Sequence, residues 1–167
     1  MAFCGSLPFT KGIKQWGRGS AMLEKAIEIA ARVHAGQMNR AGEPYILHSL
    51  RVMLACKTEL DMVFAALHDT VENTDMTLDD LRREGFGQDV MTVVDTLSRR
   101  EGEKYRDFIT RILENRTACR IKLADLAGNM RMAAIPHPTG KNLKRMGKYK
   151  KAAKRVREVL RQAEGER

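Results

Sequence analysis

The sequence predicts an all-α protein, a bundle of about seven to eight helices formed by one domain. Apolar residues recur at three- and four-residue steps along most of the chain, which is the spacing of one helix face. No segment of useful length alternates apolar with polar residues, as a half-buried strand does. The length of 167 residues is that of one ordinary domain, and 43% hydrophobic residues are enough to form a buried core.

Helical spacing of the apolar residues defines eight segments, and local signals mark several of their boundaries. Gly36 ends the first segment, and Thr77 with Asp80 forms a capping box at the start of the fourth. Gly85 closes that short helix, and Pro136 precedes the last one. In order, the predicted helices cover residues 23–33, 47–54, 60–71, 77–84, 90–97, 105–112, 121–130 and 143–160.

The basic residues are concentrated at the two ends of the chain. Residues 1–21 carry three basic and no acidic groups, and residues 139–167 carry eleven basic and three acidic groups. The formal net charge of +9 therefore leaves −2 for residues 22–138. We predict a poorly ordered leader over 1–21, a folded domain over 22–138, and a basic C-terminal helix over 139–167 that packs on the domain.

The charge of the last helix has several interpretations. A basic terminal helix is most often a solvated face, and it is less often a contact for an acidic partner, an anionic substrate or nucleic acid. Nucleic acid is therefore not the expected partner, although the basic helix leaves that interpretation open.

Composition also restricts where the protein works. The longest apolar run, residues 62–67, is far shorter than the roughly 20 residues of a membrane helix, so no membrane partner is expected. The first residues lack the basic-then-apolar order of a signal peptide. Three cysteines without a C-x-x-C spacing indicate neither a disulfide framework nor a thiolate metal site. These features favour a cytoplasmic location.

Four polar residues stand in apolar helical surroundings, where they would be costly to bury without partners. His68 and Asp69 follow an apolar run, Asp125 lies within another, and His48 begins the second helix. Taken singly, each is more often a hydrogen-bonded core residue or a cap. Taken together, two imidazoles and two carboxylates suit a site for Mn, Fe, Zn or Co. The spacing alone leaves both interpretations open.

Several short motifs resemble the HD-domain phosphohydrolases, and within them the hydrolase domain of Rel/Spo enzymes and the small alarmone hydrolases. The motifs are HAGQ (34–37), GEPYILH (42–48), AALHDTVENT (65–74), KLAD (122–125) and NMR (129–131). The likeness covers about residues 22–131, in the same order. It implies an HD-domain helical bundle that removes the 3′-pyrophosphate of guanosine tetra- or pentaphosphate, giving GDP or GTP plus pyrophosphate.

The resemblance also implies a metal centre and a catalytic pair. The family binds one divalent metal, usually Mn, with Fe, Zn, Co or Mg as alternatives, and its ligands fall on His48, His68, Asp69 and Asp125. A bound metal lowers the pKa of water, and a carboxylate one helical turn away can orient that water or carry its proton. Glu72 is placed for this role, and Asn73 is expected to assist it.

Two positions depart from the family pattern. Asn73 replaces an acidic residue, and an amide can position water but cannot take its proton. Asn39 and Arg40 stand where the family has an Arg-Lys pair beside the guanine ring, so one planar cation is missing. A substrate with several negative charges needs cations and hydrogen-bond donors in the site. The residues expected to contact the substrate are Arg40, Tyr45, Arg100, Lys104, Lys122 and Asn129.

Three functional hypotheses follow. The leading hypothesis is a metal-dependent hydrolase of guanosine tetra- and pentaphosphate, a small-molecule nucleotide substrate. The second keeps the reaction and changes the nucleotide, for example to an adenine alarmone, a nucleoside monophosphate or a 2′-phosphorylated dinucleotide. The third is a domain that binds nucleotide or metal without turning it over.

Overall fold

The computed structural model describes residues 18–39, 42–133 and 139–165, and these residues are predominantly helical. One isolated bridge pairs Met38 with Pro44. The helices of the described residues are α1 Arg18–Val33, α2 Ile46–Leu54, α3 Glu59–Leu67, α4 Thr70–Asn73, α5 Leu78–Arg83, α6 Gln88–Leu97, α7 Tyr105–Leu113, α8 Arg116–Ala133 and α9 Gly140–Gly165. The predicted all-α class is confirmed. None of the described helices combines the length and the apolar character needed to cross a membrane.

Several predicted boundaries differ from the structure, and two of the differences change the organisation of the chain. Helix α1 begins at Arg18, so residues 18–21 belong to the helix and not to the predicted leader; residues 1–17 lie outside the described part of the chain. The predicted third helix, residues 60–71, is divided into α3 and α4. The Thr70 hydroxyl donates a hydrogen bond to the Leu67 carbonyl at 2.8 Å. This bond satisfies a carbonyl at the end of α3, so the helix can end inside an apolar sequence.

Helix α3 lies at the centre of the bundle. Its consecutive residues Val63, Phe64, Ala65, Ala66 and Leu67 are all buried, as is typical of a helix that is apolar all round. It packs against α1, α2, α6 and α8. Each fully buried large apolar side chain stabilises such a core by about 1.5–3 kcal/mol. Because α3 is buried on every side, the residues that follow it are placed inside the protein.

The basic helix α9 packs along α8 and contacts α7. Its buried face consists of the small or branched residues Ala152, Ala153 and Val156, and small side chains let two helices approach closely. The cations therefore occupy the remaining circumference of α9. Its N-terminal half lies beside the cavity described below.

An ion pair joins α3 to α8. The Arg120 guanidinium donates from Nε to Asp61 Oδ2 at 2.9 Å and from Nη2 to Asp61 Oδ1 at 2.8 Å. Asp61 is only 6% exposed, and the two parallel bonds match the fork of the guanidinium to the carboxylate. This pair holds the first turn of α3 in place.

We expect Arg120→Met to destabilise the protein by about 2 kcal/mol, because it leaves the Asp61 carboxylate buried without its cation. Urea unfolding measures this free energy. The matched control is Arg82→Met, since Arg82 pairs with Asp79 on the surface, where the side chains are 57% and 77% exposed. Such a pair contributes less than about 1 kcal/mol. Equal unfolding midpoints for the two variants would contradict the importance of the Arg120 pair.

Candidate metal centre

The four predicted metal ligands come from three places in the fold. His48 lies in the first turn of α2, Asp125 lies in the middle of α8, and His68 and Asp69 occupy the break between α3 and α4. One ligand atom each from His48, His68 and Asp125 lies within 4.8 Å of the others, and all three residues are buried. Helix packing thus brings together residues that are up to 77 positions apart.

The two carboxylates face the two imidazoles. Asp125 Oδ1 lies 3.1 Å from His48 Nε2 and 3.9 Å from His68 Nε2. Asp69 Oδ2 lies 3.0 Å from His68 Nε2 and 3.7 Å from His48 Nε2. All four residues therefore direct polar atoms into one small volume.

The donor set fits a divalent metal. His68 Nδ1 donates a hydrogen bond to the Ala65 carbonyl at 2.7 Å, which orients the ring and directs Nε2 toward the carboxylates. Among the described residues, this buried Nε2 has no hydrogen bond of good geometry, although Asp69 Oδ2 lies 3.0 Å away. Nitrogen and carboxylate donors together suit Mn, Fe, Zn or Co.

Gly128 gives the His48 ring its space. A Cβ atom at residue 128 of α8 would lie 3.4 Å from both Cε1 and Nδ1 of His48, closer than most side-chain contacts. Glycine at this position therefore lets the His48 ring lie directly against α8.

Charge in the cluster is shared between acids and imidazole. Burial alone would lower the pKa of His68, but Asp69 and Asp125 outweigh it and raise that pKa to about 9. Burial alone would raise the pKa of Asp69, but His68 outweighs it and lowers that pKa to about 2. Asp125 also has its pKa held well below the usual range, because Lys122, His48 and His68 outweigh its burial. Without a metal, a proton on His68 therefore balances part of the buried negative charge.

Helix α8 supplies two further partners for Asp125. Lys122 Nζ lies 2.7 Å from Asp125 Oδ2 and 5.0 Å from the centre of the Phe108 ring. Burial alone would lower the pKa of Lys122, but Asp125 keeps it well above its usual value. The Asn129 side-chain amide donates to Asp125 Oδ1. Lys122 and Asn129, which the sequence predicted as substrate contacts, therefore also hold a candidate ligand.

Tyr45 and Asn73 form hydrogen bonds that orient Asp69, as Lys122 and Asn129 do for Asp125. The Tyr45 hydroxyl donates to Asp69 Oδ2 at 2.5 Å, and the Asn73 amide donates to Tyr45 Oη at 3.1 Å. Burial, followed by the nearby Asp69 charge, raises the pKa of Tyr45 far above its usual value, so the hydroxyl keeps its proton. Tyr45 was predicted as a substrate contact, and its hydroxyl is directed at the metal cluster.

Glu72 lies beside the cluster, on the wall of the cavity described in the next paragraph. Its Oε2 accepts a hydrogen bond from the Arg99 backbone N–H at 2.8 Å. Partial burial raises the pKa of Glu72, although the Arg99 N–H and the Lys122 charge act in the opposite direction. A carboxylate with a raised pKa is suited to taking and returning a proton near neutral pH.

A cavity of about 730 Å³ extends from the metal cluster to α9. Apolar groups on its wall include Met38, Tyr105, Phe108 and Tyr149. Its lining cations are Arg99, Lys122, Lys141, Lys144, Arg145 and Lys148. The acidic cluster therefore lies at one end of a cavity that is otherwise rich in positive charge.

The predicted substrate contacts do not include the four α9 cations, because the net charge of a helix does not show which of its faces carries the charge. Residues 141, 144, 145 and 148 are spaced at three- and four-residue steps, so they share one side of the helix. That spacing was available in the sequence. The same spacing continues through Lys151 and Arg155, so it does not by itself select the four cations that line the cavity.

Two predicted substrate contacts lie outside the lining of this cavity. Arg100 and Lys104 are not among the described residues that line the cavity. Arg100 Nη2 lies 3.4 Å from Asp95 Oδ2, and Lys104 stands just before α7. Arg99 lines the cavity instead. Arg40, the remaining predicted cation, lies outside the described residues.

Comparison with known proteins finds similar sequences and a similar structure. The HD domain family profile matches residues 26–117. The chain is 34% identical over 143 residues to a GTP pyrophosphokinase of Streptomyces coelicolor, which covers 78% of this chain and 16% of that protein. It is 33% identical over 122 residues to a guanosine-3′,5′-bis(diphosphate) 3′-pyrophosphohydrolase of Aquifex aeolicus, covering 65% of this chain and 17% of that protein. The chain thus spans less than a fifth of the length of these curated relatives.

A solved structure is similar over nearly the whole chain. It belongs to a metazoan ortholog of SpoT, described as hydrolysing ppGpp and playing a role in starvation responses. The TM-score is 0.67 and the sequence identity is 28%, with 84% of this chain and 86% of that chain covered. This neighbour, unlike the longer relatives, is of comparable length.

We expect Mn²⁺ affinity to rise about tenfold per pH unit from pH 6.5 to about 8.5 and to level off near pH 9. A metal can bind His68 only when the imidazole is neutral, and its pKa in the metal-free protein is about 9. A histidine with an ordinary pKa would place this change near pH 6.5 instead. Titration calorimetry with Mn²⁺ at a series of pH values measures the profile. An affinity that is constant above pH 7 would contradict it.

Proposed function

Because the chain belongs to the HD domain family, as its motifs predicted, we propose that it is a metal-dependent hydrolase of guanosine tetra- or pentaphosphate. The reaction would release the 3′-pyrophosphate and leave GDP or GTP. The observation that carries this proposal is the buried cluster of His48, His68, Asp69 and Asp125 at one end of a cationic cavity. The names of the Aquifex relative and of the SpoT ortholog support the same substrate class.

The four clustered residues would hold one divalent metal. Bound there, it would polarise a phosphoryl oxygen and lower the pKa of water, which is the usual chemistry of such ions. Mn is the expected ion, with Fe, Zn, Co or Mg as alternatives. Lys122, Asn129 and Tyr45 keep the carboxylate ligands oriented through their hydrogen bonds and charge.

Glu72 would act as the general base and then as the acid. It takes a proton from the attacking water while the water oxygen bonds to the phosphorus attached to the 3′-oxygen. The bond from that phosphorus to the 3′-oxygen breaks, and the proton is returned to the leaving 3′-oxygen. The Arg99 backbone N–H holds one Glu72 oxygen, which fixes the carboxylate in the cavity wall. Asn73 cannot take a proton, so its contribution is limited to positioning.

The α9 cations would bind the phosphates of the substrate. Guanosine tetraphosphate carries two diphosphates, and Lys141, Lys144, Arg145 and Lys148 line the wall that faces the metal cluster. The three lysines are exposed, so solvent screens each charge, but four cations on one wall add their attraction for a polyanion. This arrangement gives the basic C-terminal helix a role in the site.

A second candidate function is the same reaction on a different nucleotide, and the contacts of Asn39 favour it. The Asn39 amide donates to Glu43 Oε2 at 3.1 Å, and its carbonyl oxygen accepts from the Glu43 backbone N–H at 3.1 Å. Asn39 thus stabilises its own loop, where the family has a cation beside the base. Base recognition would then depend on Tyr105, Phe108 or Tyr149 in the cavity wall.

We expect the purified protein with Mn²⁺ to release pyrophosphate from guanosine tetraphosphate. Glu72→Gln should lower kcat at least about a hundredfold while the Mn²⁺ affinity changes little, because only the proton-transfer group is lost. Glu84→Gln is the matched control, since Glu84 pairs with Lys25 and Arg32 away from the cavity.

The same assay separates the alternatives. A higher kcat/KM for an adenine alarmone, a nucleoside monophosphate or a 2′-phosphorylated dinucleotide would favour the second candidate function. No turnover of any of these compounds, with His68→Ala behaving identically, would overturn the proposed reaction. Tight nucleotide binding without turnover would favour a binding domain.

We expect the double variant Lys144→Ala/Lys148→Ala to raise KM for guanosine tetraphosphate about tenfold or more, with kcat changed by less than about threefold. The two lysines would bind phosphate in the ground state and the transition state alike, so their loss appears in KM. The control Lys150→Ala/Lys154→Ala removes the same charge from exposed residues outside the cavity lining. Equal KM values for the two double variants would contradict phosphate binding by α9.

A further inference from the structure

A chain of hydrogen bonds runs from the end of α1 to Asp69. His34 Nδ1 donates to Gln37 Oε1 at 2.9 Å, and Gln37 Nε2 donates to the Asn73 carbonyl at 3.1 Å. The Asn73 side-chain amide donates to Tyr45 Oη at 3.1 Å, and the Tyr45 hydroxyl donates to Asp69 Oδ2 at 2.5 Å. Gln37 contacts the backbone carbonyl of Asn73, and the Asn73 side-chain amide and the Tyr45 hydroxyl then form the two consecutive hydrogen bonds that point toward Asp69.

The direction of the last two bonds depends on the amide of Asn73. A phenol has one proton and can donate it to one acceptor at a time. Because the Asn73 N–H already occupies a lone pair of Tyr45 Oη, the hydroxyl proton is left for Asp69. A carboxylate at position 73 could only accept, and it would compete with Asp69 for that proton.

The oxygen that receives this proton is the one that faces the cluster. Asp69 Oδ2 lies 3.0 Å from His68 Nε2 and 3.7 Å from His48 Nε2. The Tyr45 ring also packs against two histidine rings. Its centroid lies 4.9 Å from that of His34 and 5.7 Å from that of His48. Tyr45 is thus held in position by packing as well as by hydrogen bonds, and a change at Asn73 acts on the hydroxyl more than on the ring.

We propose that Asn73 is a positioning residue for the metal centre, acting through Tyr45 on Asp69. It directs the Tyr45 proton to Asp69 Oδ2 and thereby fixes the oxygen that faces His68 and His48. This inference rests on the metal site of the proposed function. It also explains how an amide can serve at a position where a second acid was expected.

The test is a double-mutant cycle on Mn²⁺ affinity, measured by titration calorimetry on the full chain without nucleotide. Tyr45→Phe should weaken Mn²⁺ binding about tenfold, the scale on which partners of metal ligands act. Asn73→Leu, which has a similar shape but no donor, should weaken it about threefold to fivefold. The double variant should bind Mn²⁺ as Tyr45→Phe does, because Asn73 acts only through the hydroxyl.

The control is Asn142→Ala, which removes a cavity-lining amide from α9 and should leave the Mn²⁺ affinity within about twofold. A proton NMR spectrum supplies a second measurement. The hydroxyl proton of the 2.5 Å Tyr45 to Asp69 bond should give a downfield signal that is absent in Tyr45→Phe and displaced in Asn73→Leu and Asn73→Asp. Asn73 is exposed, so these substitutions are not expected to unfold the chain.

Unchanged Mn²⁺ affinity in Asn73→Leu, or losses that add independently in the double variant, would overturn the proposal. Its failure is distinguishable from failure of the proposed function, because no nucleotide is present. A chain that shows the coupling but hydrolyses no nucleotide keeps the positioning role and loses the reaction. A chain that hydrolyses guanosine tetraphosphate but shows no coupling between Asn73 and Tyr45 keeps the proposed reaction and loses the positioning role.

Discussion

Burial of two carboxylates inside a helical bundle is the constraint on which the rest of the site depends. Asp69 and Asp125 are both at most 9% exposed, and an isolated ionised carboxylate would be very costly there. The surrounding side chains offset that cost: Lys122 and Asn129 bond to Asp125, Tyr45 bonds to Asp69, and imidazoles face both. Each of these partners comes from a position fixed by helix packing, so the geometry of the bundle and the chemistry of the site cannot vary independently.

Residues whose environment is local could be predicted from the sequence. Most helices follow from apolar spacing, and the candidate ligands from polar residues placed beside apolar runs. The break after Leu67 could not be predicted in this way, because Val71, four positions later, continues the helical spacing of the apolar residues. The positions of Arg100 and Lys104 outside the cavity could not be predicted either. Ion pairs and loop geometry decide which side chain enters a cavity, and residue type alone does not show them. The contact between α9 and the cavity depends on long-range packing, which periodicity does not report.

The fold determines which of the basic groups lie near the acidic cluster. Residues 22–138 carry a formal net charge of −2, and the basic groups are concentrated outside them. Packing of α9 on α8 brings four of those cations to the wall opposite the acidic cluster. A polyphosphate could then meet positive charge along its length while its reacting end approaches the cluster. Part of the positive charge of the basic C-terminal helix thus lines the cavity.

The same contacts that stabilise the metal-free cluster oppose metal binding. A proton on His68 pairs with Asp69 and Asp125, and a metal bound at the proposed site would have to displace it. The affinity for the ion is therefore a difference between two well-bonded states of the cluster. Hydrogen bonds that do not depend on the proton, such as those from Tyr45 and Asn129, orient the carboxylates in both states. They preserve the arrangement of the ligands during the exchange, and this preorganisation is why neutral donors are useful beside two buried acids.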